Sequence, residues 1–410
     1  MNIAMFAEVS AERVIGGAER VLQNQALGLQ ARGHDVTIVT RARHEADADV
    51  CTIDRVREFR YQVDRQHELS FVASTIRRSV AAFDRATGGK PVAVALIHQS
   101  LSGLGALLQR SHRASLWVYM CLSLAHEEFE TRMAAGSSLE RQLRWTINSR
   151  VRRWIEGTVM RRCHRVVVLS EFMRRRVMDV HGIPAHRIDL IPGAVDLGRF
   201  SPPQSWAAVR AELEWPADRP ILFTVRNLVP RMGLENLVDA VCRLKREHPN
   251  LLVLIGGEGP LRGKLQELIV NDHLEQHVRL LGFVPEGLLQ QYYQAADLVV
   301  MPTLQLEGFG LVTVEAMACG TPVLSTPVAA LPEVVGRVDP ALVAEGKDGA
   351  ALAQALARIL RRFRQDPNER VRLSAKGRQL VEQQYNWERH CEELDRVLGG
   401  QSRAEVLQAA

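Results

Sequence analysis

The sequence predicts an α/β protein with two doubly wound, Rossmann-like domains, each built on a parallel sheet. Three observations carry this prediction: a βαβ unit opens the chain, a connection rich in proline and glycine lies near 193–200, and a second series of alternating strands and helices follows it. Such alternation indicates parallel strands joined by right-handed crossovers. Ligands of these sheets bind beyond the carboxyl ends of the strands, and two facing sheets would leave a central cleft between the domains.

The first half begins with the apolar strand "NIAMFA", followed by a break at Gly16 and Gly17. The next segment has apolar residues at helical spacing and ends at Gly33, as helices often do. Further apolar runs predict buried parallel strands, namely "DVTIVT", "VAVALIH" and "RVVVLS".

In the second half the alternation of predicted strands and helices is more regular. The segment "LENLVDAVCRLKREH" has apolar residues at 234, 237, 238, 241 and 244, which predicts an amphipathic helix. Strands are predicted at "ILFTV", "LLVLI", "VRLLG", "DLVVM" and "PVLS", with helices between them. We therefore predict domains at 1–195 and 196–382, and a tail helix at 383–398.

Composition favours a cytoplasmic globular protein with acidic ligands. The formal net charge is +5, and 47 of the 52 basic residues are arginine, which binds phosphate in a bidentate geometry. The N-terminus lacks the pattern of a secretion signal, and no apolar run has the length of a membrane span. The six scattered cysteines are expected to be reduced, and their spacing suggests no metal site. We expect no metal or cofactor. We also expect no nucleic-acid partner, because aromatic residues are only 5% and no stacking platform occurs.

The stretch "EGFGLVTVEAMACGTPV" places two acids in unusual settings. Glu307 precedes a glycine turn, and Glu315 falls inside an apolar helix that Gly320 ends. A helix N-terminus preceded by glycines is suited to an anion such as phosphate. Glu307 could accept hydrogen bonds from hydroxyls attached to that phosphate, and a buried Glu315 could take two from a ribose diol. The simpler alternative is that Glu307 caps the helix and Glu315 is half exposed.

Here "EGFGLVTVE" resembles the E-x7-E motif of the retaining glycosyltransferases of family 4, which have the GT-B fold. The resemblance extends over nearly the whole chain, because other stretches resemble that family in the expected order: "GGAERVLQNQALGLQARGHDVTIVT", "VVVLSEFMRRRVMDVHGIPAHRIDLIPGAVDLGRFSP", "RNLVPRMGLENLVDA", "GGEGPLRGKLQELI" and "ACGTPVLST". The resemblance implies transfer of a sugar from a nucleoside-diphosphate sugar to an acceptor hydroxyl, without a bound catalytic metal, in the synthesis of a polysaccharide, glycolipid or other glycoconjugate. The first domain would then hold the acceptor and the second the donor, and the tail helix would return to the first domain.

The resemblance also implies roles for individual residues. Glu315 would hold the ribose hydroxyls, Glu307 would contact hydroxyls of the donor sugar, and Arg226 would bind the diphosphate. Met232 stands where the family usually has a lysine, and the neighbouring Arg231 is expected to supply the missing charge. Backbone groups would border the sugar and diphosphate or approach them from the first domain, at Gly308, Phe309, Gly310 and Leu311 and at Gly16 and Gly17.

A second departure lies in "YMCLSLAHEEFE", where the family often has a histidine near the reaction centre. Leu122 occupies that position, and His126 lies four residues later. Three interpretations stay open: His126 takes the role, the role is dispensable, or the site is impaired. His126 could also simply begin a helix, and His98, at the end of a predicted strand, is a second candidate.

The stretch "LERQLRWTINSRVRRWIEGTVMRR" predicts an amphipathic helix with many arginines off its apolar stripe. One interpretation is a helix packed on the core with a solvated basic face. The alternative is peripheral contact with an anionic membrane at its inner face, which would suit a lipid-linked acceptor. For the whole protein, a nucleotide-sugar-binding protein without catalysis and a nucleotide-sugar epimerase are the alternative hypotheses.

Overall fold

The computed structural model describes residues 1–12, 14, 16–109, 113–131 and 139–400, with the side chains of 139–141 outside the description. The chain forms two compact units. The first is Met1–Pro192 together with the chain from Trp387 onward, and the second is Gly193–Asn386. These divisions lie a few residues from the predicted 195/196 and 382/383.

An eight-stranded sheet organises the first unit. Its elements are β1 (Asn2–Ala7), α1 (Gly17–Ala31), β2 (Asp35–Arg41), β3 (Val50–Ile53), β4 (Val56–Tyr61), α2 (Glu68–Thr87), β5 (Val92–Ile97), α3 (Ser100–Leu108), β6 (Ala114–Cys121), α4 (Ala125–Glu130), α5 (Leu139–Arg162), β7 (Arg165–Val168), α6 (Glu171–His181) and β8 (Ile188–Leu190). The strand order is β3-β4-β2-β1-β5-β6-β7-β8, and pairing is parallel except between β3 and β4.

The second unit is a five-stranded parallel sheet in the order β11-β10-β9-β12-β13. Its elements are α7 (Trp206–Glu212), β9 (Ile221–Val225), α8 (Leu234–Leu244), β10 (Leu252–Gly256), α9 (Arg262–Asn271), β11 (Val278–Gly282), α10 (Leu289–Ala295), β12 (Leu298–Met301), α11 (Leu311–Ala318), β13 (Val323–Ser325), α12 (Leu331–Val335), α13 (Gly349–Gln365) and α14 (Pro367–Gln384). The last helix, α15 (Trp387–Leu398), belongs to the first unit.

The predicted buried strands form because their apolar side chains on both faces of each sheet are removed from water. In the first unit the ring of Phe6 on β1 lies 5.2 Å from Phe83 on α2 and 6.5 Å from Trp117 on β6. In the second unit, the apolar positions predicted for α8 are all buried. Burial of such side chains is the main favourable contribution to folding of each unit.

Sequence reasoning missed β4 because its pattern, "VREFRY", contains charged residues that are nevertheless buried. Glu58 is fully buried and accepts a hydrogen bond from Arg60 Nε at 2.9 Å. The same carboxylate also accepts from the Ser10 hydroxyl at 2.7 Å and from the Ala11 N–H at 3.0 Å. The charged strand therefore fixes the loop that follows β1.

The tail helix α15 packs against α1. A Cβ on Gly28 of α1 would lie 2.3 Å from Cys391 Sγ, so the small residue permits the close approach. Polar contacts flank it: Gln25 and His390 are hydrogen-bonded at 2.8 Å, and Asp395 accepts from Arg32 at 3.2 Å.

The predicted apolar stripe of α5 divides into two parts. Ile155 and Val159 are buried in the core of the first unit. Leu143, Ile147, Val151 and Trp154 are exposed, so the interpretation of a stripe packed on the core is wrong for this part of the helix. The reason is that this part of α5 lies at the surface and packs through one face only, against α4.

Glycines let three loops meet at the carboxyl edge of the second sheet. Gly257, after β10, has φ +122°, and a Cβ there would lie 1.9 Å from the carbonyl oxygen of Arg226. Gly233 has φ +68°, and a Cβ there would lie 1.9 Å from the carbonyl oxygen of Pro302, after β12. Any larger residue would push the loops apart, so these glycines set the position of Arg226.

We expect Gly257→Ala to lower the free energy of unfolding by about 3 kcal/mol, because it combines an unfavourable backbone conformation with a backbone clash. Thermal unfolding of the purified variant measures this loss. Gly263→Ala in α9 is the matched control: its Cβ meets nothing within 4 Å, so it should be neutral or stabilise by up to about 1 kcal/mol. Equal midpoints for both variants would contradict the role of Gly257.

Candidate active site

The loops after β9 and β12 bring Arg226 and Glu307 together. Arg226 lies directly beyond the end of β9, and its guanidinium forms an ion pair with the carboxylate of Glu307. Arg226 is 8% exposed, and the Glu307 side chain is 15% exposed. Arg226 Nη2 also lies 3.3 Å from the hydroxyl of Thr303, which accepts its hydrogen bond. The pair is therefore desolvated on most sides and held in a fixed orientation.

Met232 completes the surroundings of Arg226. Its sulfur lies 2.8 Å from Arg226 Nη2 and 3.2 Å from Nε, and the sulfur of Met301 lies 3.8 Å from Nη1. A thioether is a weak acceptor and carries no charge. At the position where a lysine would add a second cation, this chain thus has an apolar side chain that packs on the guanidinium.

Arg231 orders the loop that leads to Glu307. It lies in a one-turn 3-10 helix, Pro230–Met232, which Gly233 ends. Arg231 Nη1 donates to the carbonyl oxygen of Leu306 at 2.9 Å, and the Arg231 carbonyl accepts from the Leu304 N–H at 2.8 Å. Because Leu306 has φ +57°, its conformation is strained, and Arg231 helps to hold it.

The turn Gly308–Gly310 leads into α11. Gly310 precedes the helix with φ +85°, a conformation that favours glycine, and no side chain caps the helix there. The Phe309 side chain is buried, with its ring 5.3 Å from that of Tyr385, so it anchors the turn. The backbone N–H groups of the first turn of α11, from Leu311 onward, are suited to an anion.

Glu315 lies on the fifth residue of α11 and is only 2% exposed. Its Oε2 accepts a hydrogen bond from the hydroxyl of Tyr293, on α10, at 2.9 Å. Tyr293 is fully buried, and its ring packs between Phe200 and Phe223. Sequence reasoning missed Tyr293, because a tyrosine at helical spacing signals only a core position.

His126 lies in the first unit, at the start of α4, in a buried cluster. Its Nδ1 lies 3.4 Å from Glu156 Oε2, and His181 Nε2 lies 3.3 Å from the same oxygen. The other oxygen, Oε1, accepts from the Tyr119 hydroxyl at 3.3 Å and from the Ala125 N–H at 3.1 Å. The structure thus places His126 against a buried carboxylate that the sequence analysis did not single out.

The three side chains His126, Glu156 and His181 could also be considered as metal ligands, since their ligand-type atoms lie within 4.8 Å of one another. The distances from His126 Nδ1 and His181 Nε2 to Glu156 Oε2, 3.4 Å and 3.3 Å, are close to the separation of about 3.3 Å between ligand atoms in a tetrahedral zinc site. The second Glu156 oxygen is also occupied by hydrogen bonds. Hydrogen bonds to both oxygens of Glu156 hold the cluster together, and the spacing of its two histidines also fits metal ligands.

Hydrogen bonding controls the charge of Glu156. Burial raises the pKa of its carboxyl, but hydrogen bonds from His126, His181 and Ala125 outweigh this effect, so the pKa lies below its ordinary value. The carboxylate thus stays ionised in the interior and stabilises the fold.

The other candidates of the first unit lie at its sheet edge and at α1. His98 follows β5 and is 4% exposed, and burial, aided by His390, lowers its pKa to about 3, so the ring is neutral. Gly16 precedes α1 in an extended conformation, and Gly17 is the first residue of that helix. Leu122 lies just beyond β6 and is partly buried.

The Glu156 carboxyl has a lowered pKa in the folded state. The ionised carboxylate therefore stabilises the folded protein above the unfolded-state pKa, and this contribution is lost as the pH falls through the folded-state pKa. We expect Glu156→Gln to lower stability by about 2 kcal/mol at pH 7, and the gap from the unmodified protein to close below about pH 4. Thermal midpoints measured from pH 7 to pH 3 test this.

Glu345→Gln is the control, because its side chain is 83% exposed and should change the midpoint little at any pH. A gap for Glu156→Gln that stays constant across the pH range would show that the carboxylate contributes shape rather than charge.

Two protein-family models match the chain. The model described as "Glycosyltransferase Family 4" matches residues 15–199, and the one described as "Glycosyl transferases group 1" matches residues 207–380. A GDP-mannose-dependent monoacylated alpha-(1-6)-phosphatidylinositol monomannoside mannosyltransferase of Corynebacterium glutamicum is 32% identical over 57% of this chain and 62% of its own. A D-inositol 3-phosphate glycosyltransferase of Mycolicibacterium smegmatis is 29% identical over 95% of this chain and 86% of its own.

Among solved structures, a sucrose-phosphate synthase from Thermosynechococcus elongatus superposes with a TM-score of 0.80 at 25% identity, covering 100% of both chains. The match to the Corynebacterium mannosyltransferase spans less than two thirds of that relative's length. The two family models, by contrast, follow one another along most of this chain. The predicted family and fold are confirmed: the chain belongs to the family 4, group 1 glycosyltransferases and has the GT-B fold.

Proposed function

We propose that the protein transfers a sugar from a nucleoside-diphosphate sugar to an acceptor hydroxyl with retention of anomeric configuration, and that the transfer needs no bound metal. The observation that carries this proposal is the buried Arg226–Glu307 ion pair before α11, with Glu315 further along the same helix. This arrangement puts a cation, an anion site and two acids in one place.

In this proposal the diphosphate of the donor binds at the N-terminus of α11. The helix N–H groups and Arg226 offset its charge, and this stabilisation grows as the sugar–phosphate bond breaks. Arg231 lies on the neighbouring turn and adds positive charge. These groups supply the stabilisation that a metal ion would otherwise provide.

Glu315 receives the ribose hydroxyls, and Tyr293 keeps its carboxylate oriented by the 2.9 Å hydrogen bond. Glu307, fixed by Arg226, accepts from hydroxyls of the donor sugar. The backbone from Gly308 to Leu311 borders the sugar and diphosphate. Glu307 thus acts close to the reacting carbon, whereas Glu315 acts at the nucleoside.

The transfer itself needs little acid–base chemistry from the protein. The bond between the anomeric carbon and the phosphate oxygen breaks, and the acceptor oxygen forms its bond to that carbon on the same face. The acceptor proton passes to the departing phosphate oxygen. The protein mainly positions the reactants and stabilises charge, so His126 can remain in its hydrogen-bonded cluster, and Leu122 need not abolish activity.

The relatives described above suggest a donor and an acceptor class to test first. One of them is named for GDP-mannose and phosphatidylinositol monomannoside, and another for D-inositol 3-phosphate. For this chain we propose a hexose donor and a glycan or lipid-linked acceptor, met in the cytoplasm at the inner face of a membrane. No helix among the described residues has the length and apolar character to cross a bilayer.

The donor proposal predicts that one nucleotide stabilises the protein. Thermal unfolding with GDP, UDP, ADP, dTDP and their sugar conjugates should show one base that raises the midpoint by several degrees, since a ligand at 100 times its Kd adds about 2.7 kcal/mol. Glu315→Gln should abolish most of that shift, and Tyr293→Phe should reduce it. If no nucleotide shifts the midpoint, the donor-site assignment is wrong.

The two acids should separate kinetically. Glu307→Gln is expected to lower kcat about 100-fold with a small change in KM, because it acts on the transition state. Glu315→Gln is expected to raise donor KM about tenfold or more with a smaller change in kcat, because it holds the ribose. Steady-state kinetics measure both values, and similar KM increases in both variants would contradict this division.

The same assays separate the remaining alternatives. Met232 and Leu122 are the departures that would favour a binding protein without catalysis, which would show a nucleotide-induced shift but neither transfer nor donor hydrolysis. An epimerase would change the nucleotide sugar in the absence of an acceptor. Transfer to an added acceptor would exclude both.

A further inference from the structure

The first half of α5 exposes large apolar side chains along one face. Leu143, Ile147, Val151 and Trp154 are 61%, 54%, 45% and 65% exposed. At about 100° per residue, these four positions fall within about 80° of the helix circumference, so they form one continuous stripe. Single exposed apolar residues are ordinary, but a stripe with a tryptophan indicates a binding surface.

The opposite face of α5 holds the helix in place. The Trp145 ring stacks on Phe129 of α4 at 4.1 Å, and the Ser149 hydroxyl donates to Glu130. Glu156, further along, is bound by the cluster around His126. The stripe therefore lies on the side of a firmly packed helix that points away from the core.

Arginines border the stripe on both sides. Arg150 and Arg153 lie at one edge and Arg144 at the other, and all three are exposed. Between Gln142 and Arg162 the sequence has one acid, Glu156, which is fully buried. The exposed face of this segment is thus apolar along its centre, positive at its margins and without an acidic side chain.

We propose that this face of α5 docks on the surface of an anionic lipid bilayer. The apolar side chains would enter the boundary between headgroups and acyl chains, and the arginines would meet lipid phosphates. An acidic protein could pair with the arginines alone. A broad, flat, anionic bilayer could pair with the arginines and also bury the row of four apolar side chains. Docking would bring the enzyme to a lipid-linked acceptor, and this purpose rests on the proposed function.

Vesicle sedimentation tests the proposal with the full chain and no nucleotide. The protein should bind vesicles of phosphatidylcholine with phosphatidylglycerol and bind phosphatidylcholine alone much more weakly, and added salt should weaken the binding. Ile147→Ser with Trp154→Ser should reduce the partition coefficient at least tenfold. Arg144→Gln with Arg150→Gln should reduce it about fivefold for each arginine, on anionic vesicles only.

Matched controls lie on exposed helices of the second unit. Val371→Ser is the apolar control, at a position 51% exposed, and Arg361→Gln is the charge control. Both should bind vesicles as the unmodified protein does. All variants change exposed side chains, so their thermal midpoints should be unchanged.

Three results would overturn the proposal. The first is that the unmodified protein does not bind anionic vesicles, and the second is that the stripe variants bind them equally well. The third is that the stripe variants change the oligomeric state in sedimentation velocity but not vesicle binding, which would assign this face to a second copy. The nucleotide-induced thermal shift is measured separately, so loss of vesicle binding with that shift intact would concern docking alone, and loss of the shift would concern the donor site.

Discussion

The candidate site depends on one buried ion pair, Arg226 with Glu307. Each partner needs the other, because an isolated charge in this desolvated position would be strongly unfavourable. The pair also joins two parts of the chain, since Arg226 follows β9 and Glu307 follows β12. Its geometry rests on the backbone below it, where glycines allow the loops after three neighbouring strands to touch.

Met232 changes how this site must handle charge. Its sulfur packs on the Arg226 guanidinium in place of a second cation. The Arg231 guanidinium, on the neighbouring turn, donates to the carbonyl oxygen of Leu306. In the proposed donor site, the charge of the diphosphate would therefore be shared among Arg226, the N-terminus of α11 and Arg231. Such sharing is compatible with catalysis in which the protein stabilises charge over several groups.

In the first unit, buried polar residues serve the fold. Glu58 fixes the loop after β1, and Glu156 joins α4, α5 and α6 to β6 through Tyr119 and two histidines. This second cluster holds the second half of α5 in place. It is also the reason that the apolar stripe can be presented outward without loss of the helix.

The sequence by itself determined the alternating strands and helices, the buried face of α8 and the placement of Glu307 and Glu315 around a glycine turn, because these features depend on local periodicity and backbone conformation. It did not reveal β4, Tyr293 or the partners of His126, because charged or polar residues become buried only when distant segments supply their hydrogen bonds. It left two interpretations of α5 open, since periodicity identifies an apolar face but not whether anything covers it. Tertiary structure decided those points, because burial and pairing depend on which elements pack together.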